Sequence, residues 1–242
     1  MNGIRLDRLL ASLGYGSRRE VGALIAAGEV RLDGAPVYAP SVRLPAGEPL
    51  ELRMVVGGEP LDPTPPLTLL MNKPLGVVCS RGEAGRSIYE LLPDRWRARR
   101  PALSTIGRLD ADTSGLLLFT DDGGLLHRVI SPRSRTTKVY EAELERPLRG
   151  DEAELFAGGR LVLAGEARPL APATLEALAP TRVRLGLVEG RYHQVRRMFA
   201  AAGNRVVWLH RIRIGDLALP NDLTPGAFRR VLPGELELLL AC

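Results

Sequence analysis

Cysteine and histidine are scarce in this sequence, and their scarcity argues against several kinds of site. Cys79 and Cys242 are the two cysteines, which argues against a disulfide framework and against a zinc site built on cysteine pairs. His127, His193 and His210 are the three histidines, and no His-x-x-x-His spacing occurs among them. We therefore expect no metal site.

Targeting segments and long apolar runs are lacking as well. The residues from Met1 to Arg8 include charges where a secretory signal needs a continuous apolar stretch. The longest apolar runs, such as Leu116 to Phe119, are far too short to span a bilayer. The sequence therefore predicts a cytoplasmic protein without a membrane partner.

Motifs for nucleotide cofactors and for nucleophilic serine are also missing. The chain contains no Gly-x-x-x-x-Gly-Lys-Ser/Thr loop, no Gly-x-Gly-x-x-Gly at a strand-to-helix turn and no Gly-x-Ser-x-Gly. Any reaction that the protein performs should therefore need no cofactor.

Basic residues exceed acidic ones, and they are unevenly distributed. The chain has 33 lysines and arginines against 28 acidic residues, which gives a net charge of +5. Between residues 182 and 213 a run of arginines is opposed only by Glu189, and its members are Arg182, Arg184, Arg191, Arg196, Arg197, Arg205, Arg211 and Arg213. Arginine suits phosphate and unpaired bases, so this run predicts a cationic surface for a polyanionic partner. The preference for arginine over lysine also fits codon usage in a GC-rich genome.

The first part of the chain predicts two short helices. Leucines at positions 6, 9, 10 and 13 have helical spacing and stop at Gly14. Ser17 and Glu20 have the spacing of a capping box, and the second helix should end at Gly28.

A hairpin follows these helices. Val30 and Leu32 alternate with polar residues before the turn signal Asp33-Gly34, and Val37 and Tyr38 form the predicted return strand. Two helices and a small sheet ending near residue 53 resemble the S4 RNA-binding module.

Arginines of this module are candidates for binding RNA backbone. Arg5 and Arg8 lie about one turn apart on the first helix. Arg18 and Arg19 open the second helix, where the N-terminus favours phosphate. The alternative for each arginine is a solvated helix face with no ligand.

The domain boundaries follow from proline and from strand spacing. Four prolines and two glycines between residues 57 and 66 exclude a helix or central strand there. We place a linker at 58–66, between an S4-like domain at 1–57 and a larger domain at 67–242. Strands are predicted at 67–71, 116–119, 139–144, 183–188 and 206–209, and helices at 124–130, 151–157 and 193–202. Most connections are too short for parallel crossovers, so the expected fold class is α+β with a mixed, mainly antiparallel sheet.

One carboxylate lies on a loop that suits chemistry. Asp110 stands between Gly107 and Gly115, in a polar segment that leads into an apolar strand. Such a carboxylate is held by a rigid neighbour and stays open to a ligand. The alternative is an ordinary turn-forming aspartate.

Five segments, in the same order along the chain, resemble the motifs of the pseudouridine synthases. They are Met71-Asn72-Lys73-Pro74-Leu75-Gly76, Gly107-Arg108-Leu109-Asp110 with Thr113, Gly115, Leu116 and Leu117, Ser131-Pro132-Arg133, Lys138-Val139-Tyr140, and Glu189-Gly190-Arg191-Tyr192-His193-Gln194-Val195-Arg196-Arg197-Met198-Phe199. The resemblance covers nearly the whole chain and points to the branch whose small-subunit enzyme carries an N-terminal S4 module. It implies that the domain at 67–242 is catalytic and isomerises one uridine of rRNA to pseudouridine.

The resemblance also implies three active-site residues. Asp110 matches the essential aspartate, Tyr140 the tyrosine beside the target base, and Arg196 the basic residue that pairs with the aspartate. Breaking a glycosidic bond requires a carboxylate near sugar and base, a cation that keeps it ionised, and a surface that receives the unstacked base. Whether Asp110 adds to the base, attacks the sugar or deprotonates it stays open.

Further residues are expected to contact RNA. They are Lys73, Arg108, Arg133, Lys138, Arg191, His193, Gln194 and Arg197. The alternative for Arg108 is a structural ion pair, and the alternative for Tyr140 is an ordinary strand aromatic. Only one of Arg196 and Arg197 should point at the site, because both open the same amphipathic helix.

The segment 192–199 resembles the 16S enzyme more than the 23S enzymes, so 16S rRNA or an assembling small subunit is the expected partner, bound by a monomer. The alternatives are a 23S rRNA pseudouridine synthase and a non-catalytic ribosome-assembly factor. The complete set of Asp110, Tyr140 and Arg196 speaks against the assembly factor. A third alternative, an S4-bearing methyltransferase, should show a glycine-rich cofactor loop, and none is found.

Overall fold

A computed structural model describes residues 3–45, 49–80, 82, 84–131 and 134–240 of the chain. Its strands are β1 (Ile4–Arg5), β2 (Val30–Leu32), β3 (Ala35–Pro36), β4 (Arg43–Leu44), β5 (Met54–Val56), β6 (Glu59–Pro60), β7 (Thr68–Lys73), β8 (Val77–Val78), β9 (Arg86–Ser87), β10 (Ser104–Ile106), β11 (Ser114–Thr120), β12 (Lys138–Leu144), β13 (Thr174–Ala177), β14 (Arg182–Leu187), β15 (Val206–Ile214), β16 (Leu217–Ala218) and β17 (Phe228–Arg230). Its α-helices are α1 (Leu6–Ser12), α2 (Arg18–Ala26), α3 (Asp94–Arg97), α4 (Gly123–Ile130), α5 (Glu152–Ala157), α6 (Gln194–Ala201) and α7 (Pro233–Leu240). None of these helices is long and apolar enough to cross a membrane.

The chain forms two units. The first unit contains residues 1–68, 89–104 and 120–122. The second unit contains residues 69–88, 105–119 and 123–242. Each unit is therefore built from more than one stretch of sequence.

The helices of the first unit follow the predicted signals. Leu6 and Leu10 of α1 are fully buried in the core of the unit. Helix α2 begins with a complete capping box, in which Glu20 N–H donates to Ser17 Oγ (3.3 Å) and Ser17 N–H donates to Glu20 Oε2 (2.7 Å). These reciprocal bonds satisfy backbone donors that the helix itself leaves without partners.

The sheet of the first unit has the order β3-β2-β5-β6. The hairpin turn is as predicted, but the return strand begins earlier, since Leu32 pairs with Ala35. Val37 N–H still donates to the carbonyl oxygen of Val30 at 2.9 Å, so the predicted pairing of Val37 is confirmed, whereas Tyr38 lies beyond β3. The cause is a tight turn, since both Asp33 (φ 50°) and Gly34 (φ 81°) have left-handed backbone conformations. Strand β3 is an edge strand, where a proline is tolerated.

Residues at the start of the predicted linker belong to the first unit. Strand β6 pairs with β5, and Leu61 is buried in the same core as the helices. Asp62 is buried too, where its backbone N–H donates to Tyr15 Oη (3.1 Å) and its carboxylate binds Arg95 (Nη2 to Oδ1, 2.9 Å). Residues 59–62 are therefore an integral part of a folded unit, in contrast to the semi-rigid linker that was predicted at 58–66.

Among the residues that the structure describes, the second unit is built on a sheet of nine strands. Its main path is β13-β14-β12-β15-β11-β7-β17, while β10 pairs with β11 and β16 pairs with β15. Strands β11 and β15 are parallel, whereas β12 runs antiparallel to both β14 and β15. The apolar side of α6, with Val195, Met198 and Phe199, packs in the core beside β12, β14 and β15. This architecture confirms the expected α+β class with a mixed, mainly antiparallel sheet.

Candidate active site

A cavity of about 360 Å³ opens in the second unit at the loop that carries Asp110. Its wall includes Asp110, Tyr140 of β12, Arg196 of α6 and Arg211 of β15. A second cavity of about 150 Å³ adjoins it and shares Asp110 with it. The sequence-predicted residues Asp110, Tyr140 and Arg196 thus lie around one space.

The buried amine of Lys73 binds the backbone of the loop that carries Asp110. Its Nζ donates to the carbonyl oxygens of Pro74 (3.1 Å), Asp110 (3.0 Å) and Thr113 (2.9 Å). The side chain is fully buried, and this burial lowers the pKa of the Lys73 amine. The structure contradicts the predicted RNA contact of Lys73, because its amine donates to three backbone oxygens and its side chain is buried.

The end of the loop allows two strands to approach closely. Gly115 has φ +106°, and a Cβ built on it would lie 2.3 Å from the carbonyl oxygen of Arg211. Gly115 and Tyr140 are both opposite Arg211 in the sheet, on the parallel and the antiparallel side respectively. A register shift between Val139 and Tyr140 marks an irregularity next to the cavity.

Arg211 is a site residue that was not among those predicted from the sequence. It is 4% exposed and lines the cavity together with Asp110 and Tyr140. Arg211 belongs to a run of many arginines, all of which were expected to lie on the surface. That expectation follows from the rule that arginine is almost never fully buried without a partner. A signal was available in its place within a strand, between the apolar residues Leu209 and Ile214.

The environment of Asp110 opposes its charged form. Burial raises the pKa of this carboxyl above its ordinary value, and the neighbouring Asp112 acts in the same direction. His193, Arg196 and Arg108 act in the opposite direction without reversing the result. Of the basic groups, His193 approaches Asp110 closely, with Nε2 3.4 Å from Oδ1.

The ion pair between Arg196 and Asp110 that the resemblance implied is absent. Arg196 Nη2 instead lies 3.0 Å from Asp112 Oδ2 and donates to the backbone oxygen of Asp112 at 2.9 Å. Its Nη1 donates to the carbonyl oxygen of Val206 at 2.9 Å. Arg196 thus connects α6, β15 and the loop, and it influences Asp110 electrostatically rather than by contact.

Three residues of the α6 motif are engaged within the protein. Arg191 and Arg197 both bind Glu166, at 3.2 Å and 2.9 Å. Gln194 is buried and connects the backbone of Arg191 to Glu189. Arg191, Gln194 and Arg197 therefore fasten the start of α6, and their contact with RNA stays a prediction.

His193 and Tyr192 stand at the shared rim of the two cavities. His193 has a left-handed backbone (φ 47°) at the start of α6, and its ring stacks on that of Tyr192 with centroids 3.9 Å apart. Tyr192, which was not among the predicted site residues, is 71% exposed. A non-glycine residue in this conformation indicates a local constraint of the kind found at functional sites.

The other predicted RNA contacts have different surroundings. Arg108 donates to Ser80 Oγ at 2.8 Å, and both Arg108 and Lys138 line the larger cavity. Arg5 is paired with Asp7, at 2.8 Å. The remaining residues can be grouped by exposure: Arg8, Arg18 and Arg19 are exposed, and Arg133 lies outside the described residues. Within the described part of the chain, no group of His, Cys, Asp and Glu could hold a metal ion.

Two segments of the chain match models of known protein families. Residues 68–201 match the model of the RNA pseudouridylate synthase family, and residues 4–50 match the S4 domain. The chain belongs to the RNA pseudouridylate synthase family. The matched range holds the loop of Asp110, strand β12 with Tyr140, and all of α6.

Relatives of this pseudouridine synthase cover nearly its whole length. The ribosomal small subunit pseudouridine synthase A of Yersinia pestis is 42% identical over 96% of this chain and 97% of its own length. An uncharacterized RNA pseudouridine synthase of Bacillus subtilis is 38% identical over 98% of each chain. A solved structure described as a pseudouridylate synthase is 37% identical and superimposes with a TM-score of 0.68 over 98% of this chain and 99% of its own.

Proposed function

We propose that this protein isomerises one uridine of small-subunit (16S) ribosomal RNA to pseudouridine, with Asp110 as the essential carboxylate. The observation that carries the proposal is the cavity in which Asp110 and Tyr140 face one space. The choice of RNA is supported by relatives named for the small ribosomal subunit, one of which is 42% identical over 96% of this chain.

The chemistry needs no group beyond the side chains of the cavity. The C1′–N1 bond of the uridine breaks, the uracil turns, and C5 bonds to C1′; C5 then loses a proton and N1 gains one. Asp110 stands at the sugar and base, where its carboxylate assists this exchange of bonds. The ring of Tyr140 offers a surface to the base once it has left its stack.

Arg196 acts as a positioning residue in this proposal. Its bonds to Asp112 and Val206 fix the end of the catalytic loop to β15. Its positive charge lowers the pKa of Asp110 and so favours the ionised carboxylate against the effect of burial. The loop is thereby held by Lys73 on one side and by Arg196 on the other.

RNA binding is divided between the two parts of the chain. The S4-like domain at 1–57 binds backbone through Arg8, Arg18 and Arg19, which are exposed. In the catalytic domain at 67–242, Arg108 and Lys138 at the cavity wall and the exposed Tyr192 at its rim receive the nucleotides around the target. The protein acts as a monomer in the cytoplasm, where ribosomal subunits assemble.

The test is direct mapping of pseudouridine. Unmodified 16S and 23S rRNA, free and in assembling particles, are incubated with the wild type and with Asp110→Asn. We expect one new pseudouridine in 16S rRNA with the wild type and none with Asp110→Asn. The variant should bind the RNA as tightly as the wild type, because the carboxylate acts on bonds rather than on the phosphate backbone.

Asp216→Asn is the matched control, since Asp216 is an exposed carboxylate paired with Arg213 at 3.1 Å and lies outside the cavity. It should be fully active. New pseudouridine in 23S rRNA alone would contradict the choice of RNA, and activity retained by Asp110→Asn would contradict the role of Asp110. A wild type that modifies no rRNA in any form would contradict the proposed enzyme activity itself.

A further inference from the structure

Arg211 is a buried cation with a donor that has no partner. Its Nε donates to the carbonyl oxygen of Leu116 at 2.8 Å, and its Nη1 lies 3.5 Å from Tyr140 Oη. Its Nη2 is buried and has no hydrogen-bond partner among the described residues. A buried donor without an acceptor costs free energy, so it is retained where a ligand supplies the acceptor.

The charge of Arg211 has no partner either. Across the described ranges, no carboxylate lies within ion-pair distance of this guanidinium, whereas neighbouring arginines such as Arg196 and Arg213 are paired with Asp112 and Asp216. A guanidinium keeps its charge in proteins. The wall of the cavity therefore carries a positive charge that no carboxylate of the described residues neutralises.

The position of Arg211 favours the base rather than the phosphate as its ligand. Arg211 is 4% exposed, and its guanidinium carbon lies 5.9 Å from the centre of the Tyr140 ring. The wall around it includes Leu187, Leu209 and Ile214, which suit a flat uncharged ring better than a hydrated phosphate.

We infer that Arg211 Nη2 donates to a carbonyl oxygen of the target uracil and stabilises the negative charge that the base gains when it is detached. When the C1′–N1 bond breaks, its electron pair stays on the uracil and the charge spreads from N1 to O2 and O4. The pair that forms the C1′–C5 bond later comes from the same ring, C5 loses its proton, and N1 takes one up. This role rests on the proposed function and is the same whichever way Asp110 takes part.

The experiment compares Arg211→Met and Arg211→Lys with Arg213→Met, a half-buried position on the same strand that does not line the cavity. Single-turnover rates are measured with saturating enzyme on RNA that carries the mapped target uridine. Arg211→Met should be slower by about 100-fold or more, the loss found when one donor to a developing anion is removed. Arg211→Lys should retain part of the rate, and Arg213→Met should stay within about twofold of the wild type.

Substituted RNAs identify the atom that Arg211 contacts. Replacing O2 or O4 of the target base by sulfur weakens the acceptor, so one of these substitutions should slow the wild type and have little further effect on Arg211→Met. Phosphorothioate at the target phosphate should slow the wild type and the variant by the same factor. If thermal unfolding shows that Arg211→Met does not fold, the same comparison is made with Arg211→Lys. Sulfur substitution in the target base should slow this variant less than it slows the wild type.

Two results would overturn the inference while leaving the proposed function intact. One is an Arg211→Met variant within about threefold of the wild-type rate, far from the loss expected for a donor to the anion. The other is a sulfur effect that depends on Arg211 at the phosphate instead of the base. A wild type inactive on every rRNA would contradict both, and mapping on the wild type reveals that case first.

Discussion

Asp110 is a carboxylate whose ionised form is opposed by burial. Its folded-state pKa is raised above its unfolded value, with burial as the largest cause. The charged form therefore costs folding free energy at neutral pH. That cost is absent below the unfolded pKa, where the carboxyl is protonated in both states. A residue with this property is tolerated for what it does in the site rather than for what it adds to stability.

Asp110→Asn should therefore raise the melting temperature at pH 7, by roughly 1 to 3 °C for a protein of this size. The gain should shrink toward zero near pH 3, because the wild-type carboxyl is then neutral. Thermal unfolding followed by circular dichroism at several pH values measures both effects. Asp216→Asn, at an exposed ion pair, should shift the melting temperature by about 1 °C or less at either pH. A melting temperature of Asp110→Asn below that of the wild type at pH 7 would contradict the effect of burial.

Lys73 should be among the most sensitive residues of the second unit. Replacing it by methionine would leave the oxygens of Pro74, Asp110 and Thr113 buried without the amine that they share. We expect a loss of about 2–4 kcal/mol in the free energy of unfolding. Urea unfolding measures this loss, and Lys138→Met, at the chain's other lysine, should cost less. Equal losses for the two variants would argue against the anchoring role of Lys73.

At the scale of single residues, the sequence predicted which residues lie at the site better than it predicted what their side chains bind. Asp110 and Tyr140 were predicted at the site because motifs specify residue types. The partners of Lys73 and Arg196 were not, since the conformations of long side chains depend on neighbours distant in sequence. Arg211 was not singled out, because burial of a charged side chain contradicts the usual distribution of arginine.

Among the elements, β11 and β15 are joined where the site is formed. Gly115 places the backbone of β11 against that of Arg211 on β15, in a conformation with φ +106°. The resulting contact brings the loop of Asp110 beside the strand that carries Arg211. The glycine of the family motif is thus explained by steric space and backbone conformation rather than by chemistry.

Gly115→Ala should destabilise the protein by about 3 kcal/mol or more, since the added methyl meets backbone atoms and the backbone conformation disfavours any side chain. Gly123→Ala is the matched control, because Gly123 begins α4 and a Cβ there would meet nothing within 4 Å. The control should be neutral or slightly stabilising. Chemical denaturation measures the free energy of unfolding of both variants. A Gly115→Ala protein as stable as the control would refute this prediction.

Elements with local signals were predictable, and those that depend on partners were not. The capping box of Ser17 and Glu20 specifies the start of α2 within the sequence itself. Strand β3 begins at Ala35 rather than at the predicted Val37, because the tight turn takes up only Asp33 and Gly34 and an edge strand tolerates Pro36. Strand β6 was missed because the prolines between residues 57 and 66 argued against a central strand, whereas Pro60 lies on an edge strand of that sheet.

At the scale of the whole molecule, binding and chemistry should be separable by mutation. Arg18→Gln combined with Arg19→Gln removes two exposed charges at the start of α2. We expect weaker RNA binding and a salt dependence whose slope decreases by up to about 2, because each phosphate contact contributes about 0.9. The single-turnover rate at saturating enzyme should not change.

The control for this double variant removes the same charge elsewhere. Arg149→Gln with Arg205→Gln eliminates two exposed arginines that are paired with Asp151 and Glu145. Filter-binding titrations at several salt concentrations should show a smaller change in slope for the control. Identical slopes for the two double variants would indicate that only net charge matters, and would refute a specific role for α2.

The first unit contains three separate stretches of the chain, and this has a consequence for how the protein can be divided. Residues 89–104 fold against the N-terminal residues, where Arg95 binds Asp62 and Arg100 N–H donates to the carbonyl oxygen of Ser12 at 2.7 Å. A gene fragment that begins at residue 67 would encode this stretch without the partner that it folds on. A protease that cuts once near residue 66 should accordingly leave two pieces that remain associated under native conditions and separate only in denaturant.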